Sequence, residues 1–157
     1  MPKITNCLWF DSQAEEAAEF YVGVFPNSRI GKVARYPEGL PGDRAGQVLT
    51  VEFELDGAPF MGLNGGPHFT FSEAVSFVID CQDQAEVDRY WDALLARGGR
   101  EDRCGWLKDR FGVSWQVVPR RLTELMSGPS ETANKVAAAM MQMIKLDVAK
   151  LEAAAAD

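Results

Sequence analysis

The feature that most constrains this sequence is an internal repeat. Each half starts with a short apolar run typical of a β-strand, and continues with a helix cap, a helix carrying two adjacent aromatic residues, and a tight hairpin. Corresponding features lie about 70 residues apart along the chain. The repeat predicts two modules of β-α-β-β-β order, each with its helix on one face of a curved mixed sheet, so the fold class is α+β. The two sheets are expected to surround a shared cavity.

The first module is predicted to extend from the N-terminus to about residue 66. An apolar run at 4–10 favours its first strand, and Ser12-Gln-Ala-Glu15 has the pattern of a capping box, where a helix should begin. Asp56-Gly57 is a strong signal for a hairpin turn. The remaining strands of this module are predicted at 29–36, 47–55 and 58–63.

The second module repeats this pattern between about residues 72 and 120. Residues 74–81 are apolar and β-prone, Asp83-Gln-Ala-Glu86 resembles a second capping box, and Gly98-Gly99 should end the helix. Shorter strands are predicted at 100–103, 106–109 and 113–118. Together the two modules are expected to make one domain, residues 1–120.

Residues 121–157 are predicted to form a C-terminal helical extension. Gly128-Pro129 breaks the chain, and residues 130–155 are rich in Ala, Met, Lys and Leu, which favours one long helix. Val136, Met140 and Leu151 approximate an apolar stripe on that helix. We therefore expect it to pack on the modules or on a second subunit.

The charge and composition of the chain restrict its partners. It carries 23 acidic and 16 basic residues, a formal net charge of -7, which argues against binding to nucleic acid. No apolar run approaches the roughly 20 residues that span a bilayer, and the N-terminus has no apolar signal core. Cys7, Cys81 and Cys104 are an odd number at wide spacing, which favours reduced thiols. We expect a cytoplasmic protein that binds neither nucleic acid nor membrane.

Few residues offer obvious chemistry. His68 is the only histidine, which excludes a site that needs two imidazoles from one chain. Glu52 and Glu54 alternate along a predicted strand, and form either a pair of carboxylates for acid-base or metal chemistry or a solvated face. Cys104 has Lys108 nearby to lower its thiol pKa, whereas a small buried thiol is the simpler interpretation.

Aromatic residues are candidates for the walls of a cavity. Trp9 and Phe60 in the first module and Trp106 in the second are the ones we assign to a binding site, although most aromatic side chains simply fill cores. The sequence Cys104-Gly-Trp-Leu-Lys108 places a thiol, an indole and an ammonium group within five residues, so it is a further candidate for a pocket lining.

Three stretches of sequence carry a resemblance to a known family. Residues 8–28 (LWFDSQAEEAAEFYVGVFPNS), 63–67 (LNGGP) and 104–119 (CGWLKDRFGVSWQVVP), together with the repeat, closely resemble the PhnB-like branch of the vicinal-oxygen-chelate superfamily, which includes glyoxalases, bleomycin-resistance proteins and dioxygenases. The resemblance covers essentially the whole chain. Relatives of this kind often carry the label 3-demethylubiquinone-9 3-methyltransferase domain.

The resemblance also implies where a metal ion would be held. Metal-using members take His or Glu ligands from the first and last strand of each module, and those positions correspond here to Thr5 or Asn6, Gly62, Ser76 and Gln116. None of these is an imidazole or a carboxylate, which Zn, Fe and Mn favour. We therefore predict no metal and no other cofactor. The resemblance implies instead a cavity with Ser76, Ser114 and Gln116 on inward faces, and Asn64 and Trp106 near its mouth.

These expectations combine into one functional hypothesis with two rivals. The leading hypothesis is a homodimeric, metal-free protein that binds a small, partly aromatic or polar molecule, with no catalytic residue assigned. The first rival is a lyase, isomerase or dioxygenase whose weak metal site uses His68 or Glu52. The second is the methyltransferase of the family label, although no glycine-rich turn follows the first strand, as the common doubly wound methyltransferases would require.

Overall fold

The structure is a computed structural model that describes residues 3–157, so the first two residues of the expected first module lie outside the described part. The chain divides into two compact units, one ending at Thr70 and the other extending from Phe71 to Asp157. Each unit contains one β-α-β-β-β module and is described here by itself. The domain boundary expected between residues 120 and 121 stays a prediction.

The first unit is one four-stranded sheet with one helix. Its elements are β1 (Asn6–Phe10), α1 (Ala14–Val24), β2 (Arg29–Arg35), β3 (Val48–Leu55) and β4 (Ala58–Asn64). The strand order is β1-β4-β3-β2, with β1 parallel to β4 and the other neighbours antiparallel. The predicted Asp56-Gly57 turn joins β3 to β4, and both residues have the positive φ angles (48° and 81°) that this kind of hairpin requires.

The second unit has the same topology and an added group of helices. Its module consists of β5 (Ser76–Cys81), α2 (Gln84–Leu95), β6 (Arg100–Glu101), β7 (Trp106–Lys108) and β8 (Ser114–Pro119). The strand order is β5-β8-β7-β6, with β5 parallel to β8. Because this order repeats that of the first sheet, the predicted duplication and the α+β class are confirmed.

Small side chains hold α1 close to its sheet. Ala14, Ala17 and Ala18 on the inner face of α1 are fully buried, and Tyr21 stacks over Phe53 of β3 with ring centroids 6.2 Å apart. This packing covers one face of the sheet. The side chains that alternate to the other face are left without a helix, and they are the ones available to a ligand.

The two predicted helix caps have different outcomes. Asp83 caps α2 as predicted, since its carboxylate accepts a hydrogen bond from the backbone N–H of Glu86 at 3.0 Å. The Ser12 cap was wrong: α1 is capped at Gln13, whose side chain makes no capping bond. Asn64 from β4 instead accepts from the N–H of Ala14 at 2.9 Å, and this contact between distant residues has no local sequence signal.

The prediction of one long C-terminal helix was also wrong, because residues 120–156 contain three helices. These are α3 (Arg120–Met126), α4 (Ser130–Met140) and α5 (Val148–Ala156). Hydrogen bonds from the second module interrupt the helix between α4 and α5: Cys104 N–H donates to Met143 O at 2.9 Å and Gly105 N–H to Ile144 O at 2.7 Å. Asp147 then caps α5 by accepting from Lys150 N–H.

Leu146 holds the segment between α4 and α5 in place. Its side chain is fully buried in a cluster with Leu122, Leu125, Val136 and Leu151. It also lies so close to Gly105 that a Cβ at that glycine would be 2.8 Å from Leu146 Cδ1. The three helices therefore pack on the second module of their own chain. None of the helices within residues 3–157 is long and apolar enough to cross a membrane.

Leu146→Ala tests this packing. We expect it to lower the free energy of unfolding by about 2–5 kcal/mol, the usual effect of a cavity left by a fully buried leucine. Ile144→Ala is the control, since Ile144 is 50% exposed and should lose far less. Urea denaturation followed by circular dichroism measures both, and equal losses would contradict the assignment of Leu146 as the anchor.

Candidate functional site

The helix-free face of the second sheet carries a group of neutral polar side chains. Along β8, Trp115 points to the side of α2, where its ring lies 5.4 Å from that of Phe77, so Ser114 and Gln116 point to the opposite face. Ser76 of β5 reaches the same face, because its hydroxyl accepts a hydrogen bond from Gln116 Nε2 at 2.9 Å. Three residues predicted for the site are thereby brought together.

Ser114 has an unusual environment in this group. It is only 1% exposed, and its hydroxyl has no hydrogen-bond partner among the described residues. A buried hydroxyl without a partner costs roughly 1–3 kcal/mol, so natural structures keep few of them. Ser114 lies opposite Ser76 across the β5–β8 pairing, beside the hydrogen-bonded Ser76–Gln116 pair.

Trp106 and Lys108 of β7 extend the same face. Trp106 pairs with Gln116 and Lys108 with Ser114 in the antiparallel register, so their half-buried side chains lie next to the polar group. Lys108 also forms an ion pair with Glu73, in the segment that precedes β5, and this hydrogen bond lowers the pKa of the Glu73 carboxyl. Sequence reasoning missed Glu73, since no local pattern distinguishes it from other exposed glutamates.

A buried carboxylate, Asp109, fixes the turn that presents this face. Asp109 is 3% exposed, and its Oδ1 accepts hydrogen bonds from the backbone N–H groups of Phe111 and Val113 at 2.9 and 3.1 Å. Its Oδ2 accepts from the indole N–H of Trp115 at 2.9 Å. Because the position of Trp115 sets which neighbours point the other way, Asp109 orients Ser114 and Gln116 without touching them.

Cys104 contacts the segment that follows α4. It has a positive φ of 59° in the turn before β7, and its Sγ is 3.8 Å from Met141 Sδ in the segment after α4. Lys108, the residue expected to activate it, is engaged by Glu73. Burial raises the pKa of another thiol, Cys81, to about 12, so that group stays protonated at neutral pH.

The three residues predicted in the first unit serve different purposes. Trp9 donates its indole N–H to Gly66 O at 2.9 Å and lies so close to Gly65 that a Cβ there would be 2.2 Å from the ring. Phe60 is 6% exposed and stacks on Phe53 at 5.3 Å, on the helix side of the sheet. Asn64 is 7% exposed and caps α1. Phe60 and Asn64 therefore support the core, and we leave them out of the binding face.

The carboxylates and the histidine weighed for metal chemistry do not form a three-residue metal site within residues 3–157. Glu54 is bound by the guanidinium of Arg29 at 3.0 and 3.2 Å, and this hydrogen bond holds the pKa of the Glu54 carboxyl below its usual range. His68 is exposed in the loop after β4. Within residues 3–157 no group of three His, Cys, Asp or Glu side chains is arranged to hold a metal ion.

The positions that the family resemblance assigns to metal ligands carry neutral side chains here. Gly62 faces the helix, because a Cβ there would be 3.0 Å from Ala14 Cβ, so the position on the helix-free face is Met61. The register confirms this shift of one residue, since Cys7 pairs with Met61 as Val78 pairs with Gln116. The set Thr5, Met61, Ser76 and Gln116 offers neutral oxygens and a thioether, and Ser76 and Gln116 bond to each other.

This topology, duplicated with the same strand order, can be compared with known proteins. The sequence profile described as 3-demethylubiquinone-9 3-methyltransferase matches residues 2–118. The chain belongs to that family. The match ends within β8, so the three C-terminal helices of this family member lie beyond it. No curated protein matches the chain.

One solved structure supports this family assignment, and two more distant ones share the fold. The PhnB protein of Bacillus cereus is 35% identical to this family member, covers 75% of it over 99% of its own length, and superposes with a TM-score of 0.66. Protein PA1353 of Pseudomonas aeruginosa is 20% identical over 76% of this chain and 98% of its own (TM-score 0.62). The fosfomycin resistance protein FosX of Listeria monocytogenes is 12% identical over 85% and 98% (TM-score 0.52). The fold is that of the vicinal-oxygen-chelate superfamily.

Asp109→Asn tests the role of the buried carboxylate. An asparagine keeps one acceptor for the backbone but presents an NH₂ group where a second acceptor is needed, so the indole N–H of Trp115 meets a donor. We expect unfolding to require about 2–4 kcal/mol less free energy. Asp102→Asn is the matched control, because Asp102 is exposed and accepts one bond that asparagine retains. Equal stability of the two variants in urea titrations would contradict this role.

Proposed function

We propose that this chain binds a small, partly aromatic or polar molecule on the helix-free face of the second sheet, without a metal ion. The observation that carries the proposal is the hydrogen-bonded pair of Ser76 and Gln116, whose half-buried side chains lie on this face beside the indole of Trp106.

The hydrogen-bonding pattern of the face defines the ligand. Ser76 accepts from Gln116, so its own O–H remains a donor, and Gln116 keeps its amide oxygen as an acceptor. The half-buried indole of Trp106 offers an apolar surface for a flat group. A planar molecule with at least one acceptor and one donor at its edge fits this pattern.

The metal-free character of the site follows from its donors. Transition metals of the kind relatives use prefer imidazole and carboxylate, and the four positions available here hold Thr5, Met61, Ser76 and Gln116. Glu52 lies opposite Met61 in the β3–β4 pairing and is a single carboxylate beside these positions, while Glu54 is paired with Arg29. A lyase, isomerase or dioxygenase that depends on such an ion is therefore the weaker candidate, and we assign no catalytic residue.

The methyltransferase named by the family profile is the second candidate, because that profile matches most of the chain. Against it stands the local geometry after β1, where Phe10 leads through Asp11 and Ser12 into α1 instead of a glycine-rich turn. S-adenosylmethionine therefore belongs in any ligand screen of this protein, and saturable binding would favour this candidate.

We also propose that the chain forms a homodimer in the cytoplasm. Val78 lies on β5 and is 62% exposed, and Val75 lies just before β5 and is 67% exposed. Such exposure is unusual for two valines close together in the chain and suits contact with a second copy. The three cysteines are unpaired in the structure, as a reducing compartment favours. Light scattering of the purified protein distinguishes a dimer from a monomer.

A ligand screen with a matched pair of variants tests the proposed function. Thermal-shift screening against flat heteroaromatic compounds and S-adenosylmethionine is expected to yield a heteroaromatic compound that stabilises the protein. Gln116→Leu should weaken its binding by roughly 10- to 100-fold, the effect of losing one or two buried hydrogen bonds. Gln142→Leu, at an exposed position after α4, should leave the affinity unchanged. A screen without binders, or equal affinity of the two variants, would overturn the proposal.

A further inference from the structure

The first unit contains a pocket that is separate in chemistry from the face described above. Its volume is ≈ 460 Å³, within the range of small-molecule sites, and it lies where the start of α1 meets the end of β2 and the loop that follows. The lining is almost entirely polar and charged: Asp11, Ser12, Glu15, Arg35, Tyr36, Arg44, Gln47, Val48 and Asn64.

One wall of the pocket is cationic and held in place. Arg44 lies over the ring of Tyr36, with its guanidinium carbon 5.6 Å from the ring centroid, and donates to the Tyr36 hydroxyl at 3.3 Å. Arg35 donates to Gly46 O at 3.0 Å. Both guanidinium groups are bonded to neutral oxygens, and within residues 3–157 neither forms an ion pair. They retain donors in the planar arrangement that suits a carboxylate.

The lining of the same pocket also includes two carboxylates. Asp11 and Glu15 lie at the start of α1, and neither carboxylate forms an ion pair with a described residue, although both line the same pocket as the two arginines. Two cationic and two anionic side chains therefore line one pocket, and no ion pair joins them within residues 3–157. Charges so arranged suit a molecule that carries both signs.

A series of hydrogen bonds links Arg44 to the start of α1. The Tyr36 hydroxyl donates to the backbone oxygen of Asn64 at 2.5 Å, and the buried Asn64 side chain accepts from Ala14 N–H at the first residue of α1. Asn64 also donates from Nδ2 to Val48 O at 3.1 Å. Arg44 is thus connected through Tyr36 and Asn64 to the start of the helix that carries Glu15.

We infer that this pocket binds a small zwitterion of the amino-acid type, with its carboxylate at Arg35 and Arg44 and its ammonium group at Asp11 and Glu15. Val48 is the one side chain in the lining without a polar group, so a short or polar ligand side chain suits the pocket better than a large apolar one. This site belongs to the unit that ends at Thr70 and does not depend on the binding face of the second sheet.

Titrations with three related compounds test the inference. ¹⁵N-labelled protein is titrated with L-valine, N-acetyl-L-valine, which lacks the cation, and L-valinamide, which lacks the anion. Saturable shifts of the Ser12 and Gln47 amide signals are expected with L-valine, with a Kd of about 1 mM, and at least tenfold weaker binding of both derivatives. L-Glutamine serves as a second zwitterion with a polar side chain.

Two variants assign the charges. Arg44→Gln should weaken L-valine and N-acetyl-L-valine alike, whereas Glu15→Gln should remove the preference for L-valine over N-acetyl-L-valine and leave the latter's binding unchanged. Arg29→Gln is the control, since Arg29 lies in the same unit but pairs with Glu54. The dispersion of the amide spectrum shows whether each variant is folded. If Arg44→Gln is unfolded, Arg44→Lys is used in its place.

Two results would overturn the inference. Equal binding of L-valine and N-acetyl-L-valine would show a site for anions only and overturn the inference. So would the absence of saturable binding by both L-valine and L-glutamine up to about 20 mM, a concentration well above the expected Kd. Failure of this test leaves the proposed function of the second sheet untouched, because the two sites share no residue.

Discussion

The candidate binding face of the second sheet depends on the carboxylate of Asp109. By accepting two backbone N–H groups and the indole of Trp115, Asp109 closes the β7–β8 turn and fixes which residues of β8 face α2. The alternation of a strand then sends Ser114 and Gln116 to the other side. A buried carboxylate is costly to maintain unless its oxygens are hydrogen-bonded, and here three donors offset that cost. The chemistry of the face is thus set by a residue that does not belong to it.

The duplication explains why one chain contains two different candidate sites. Both modules share the strand order and the position of the helix, but the side chains on corresponding positions differ: Met61 stands where the second module has Gln116. The first module has its pocket at the start of α1, among Arg44, Tyr36 and Asn64. One scaffold, copied within the chain, therefore carries two candidate sites of different chemistry, as expected when function resides in grafted side chains and not in the fold.

The sequence predicted the parts of this structure that depend on local patterns. Strand alternation, the Asp56-Gly57 turn and the Asp83 cap need only neighbouring residues, and all three were confirmed. The prediction failed where distant residues intervene. Asn64 displaces Ser12 as the cap of α1, and Cys104 and Gly105 interrupt the C-terminal helix by bonding to Met143 and Ile144. For the site, the family resemblance assigned to one cavity four residues that lie close together in the structure: Ser76, Trp106, Ser114 and Gln116. The charged pocket of the first module was not predicted, because its residues are scattered along the chain.

The central claim is that neutral polar groups have replaced the metal ligands of the superfamily in this chain. The most direct test is the metal content of untagged protein, measured by mass spectrometry after incubation with zinc and manganese and removal of the free ions. A protein without an affinity tag is essential, since His68 is the only native imidazole. The donors present predict far less than one bound ion per chain. One tightly held ion per chain would contradict the account and restore the metal-dependent enzyme as the leading function.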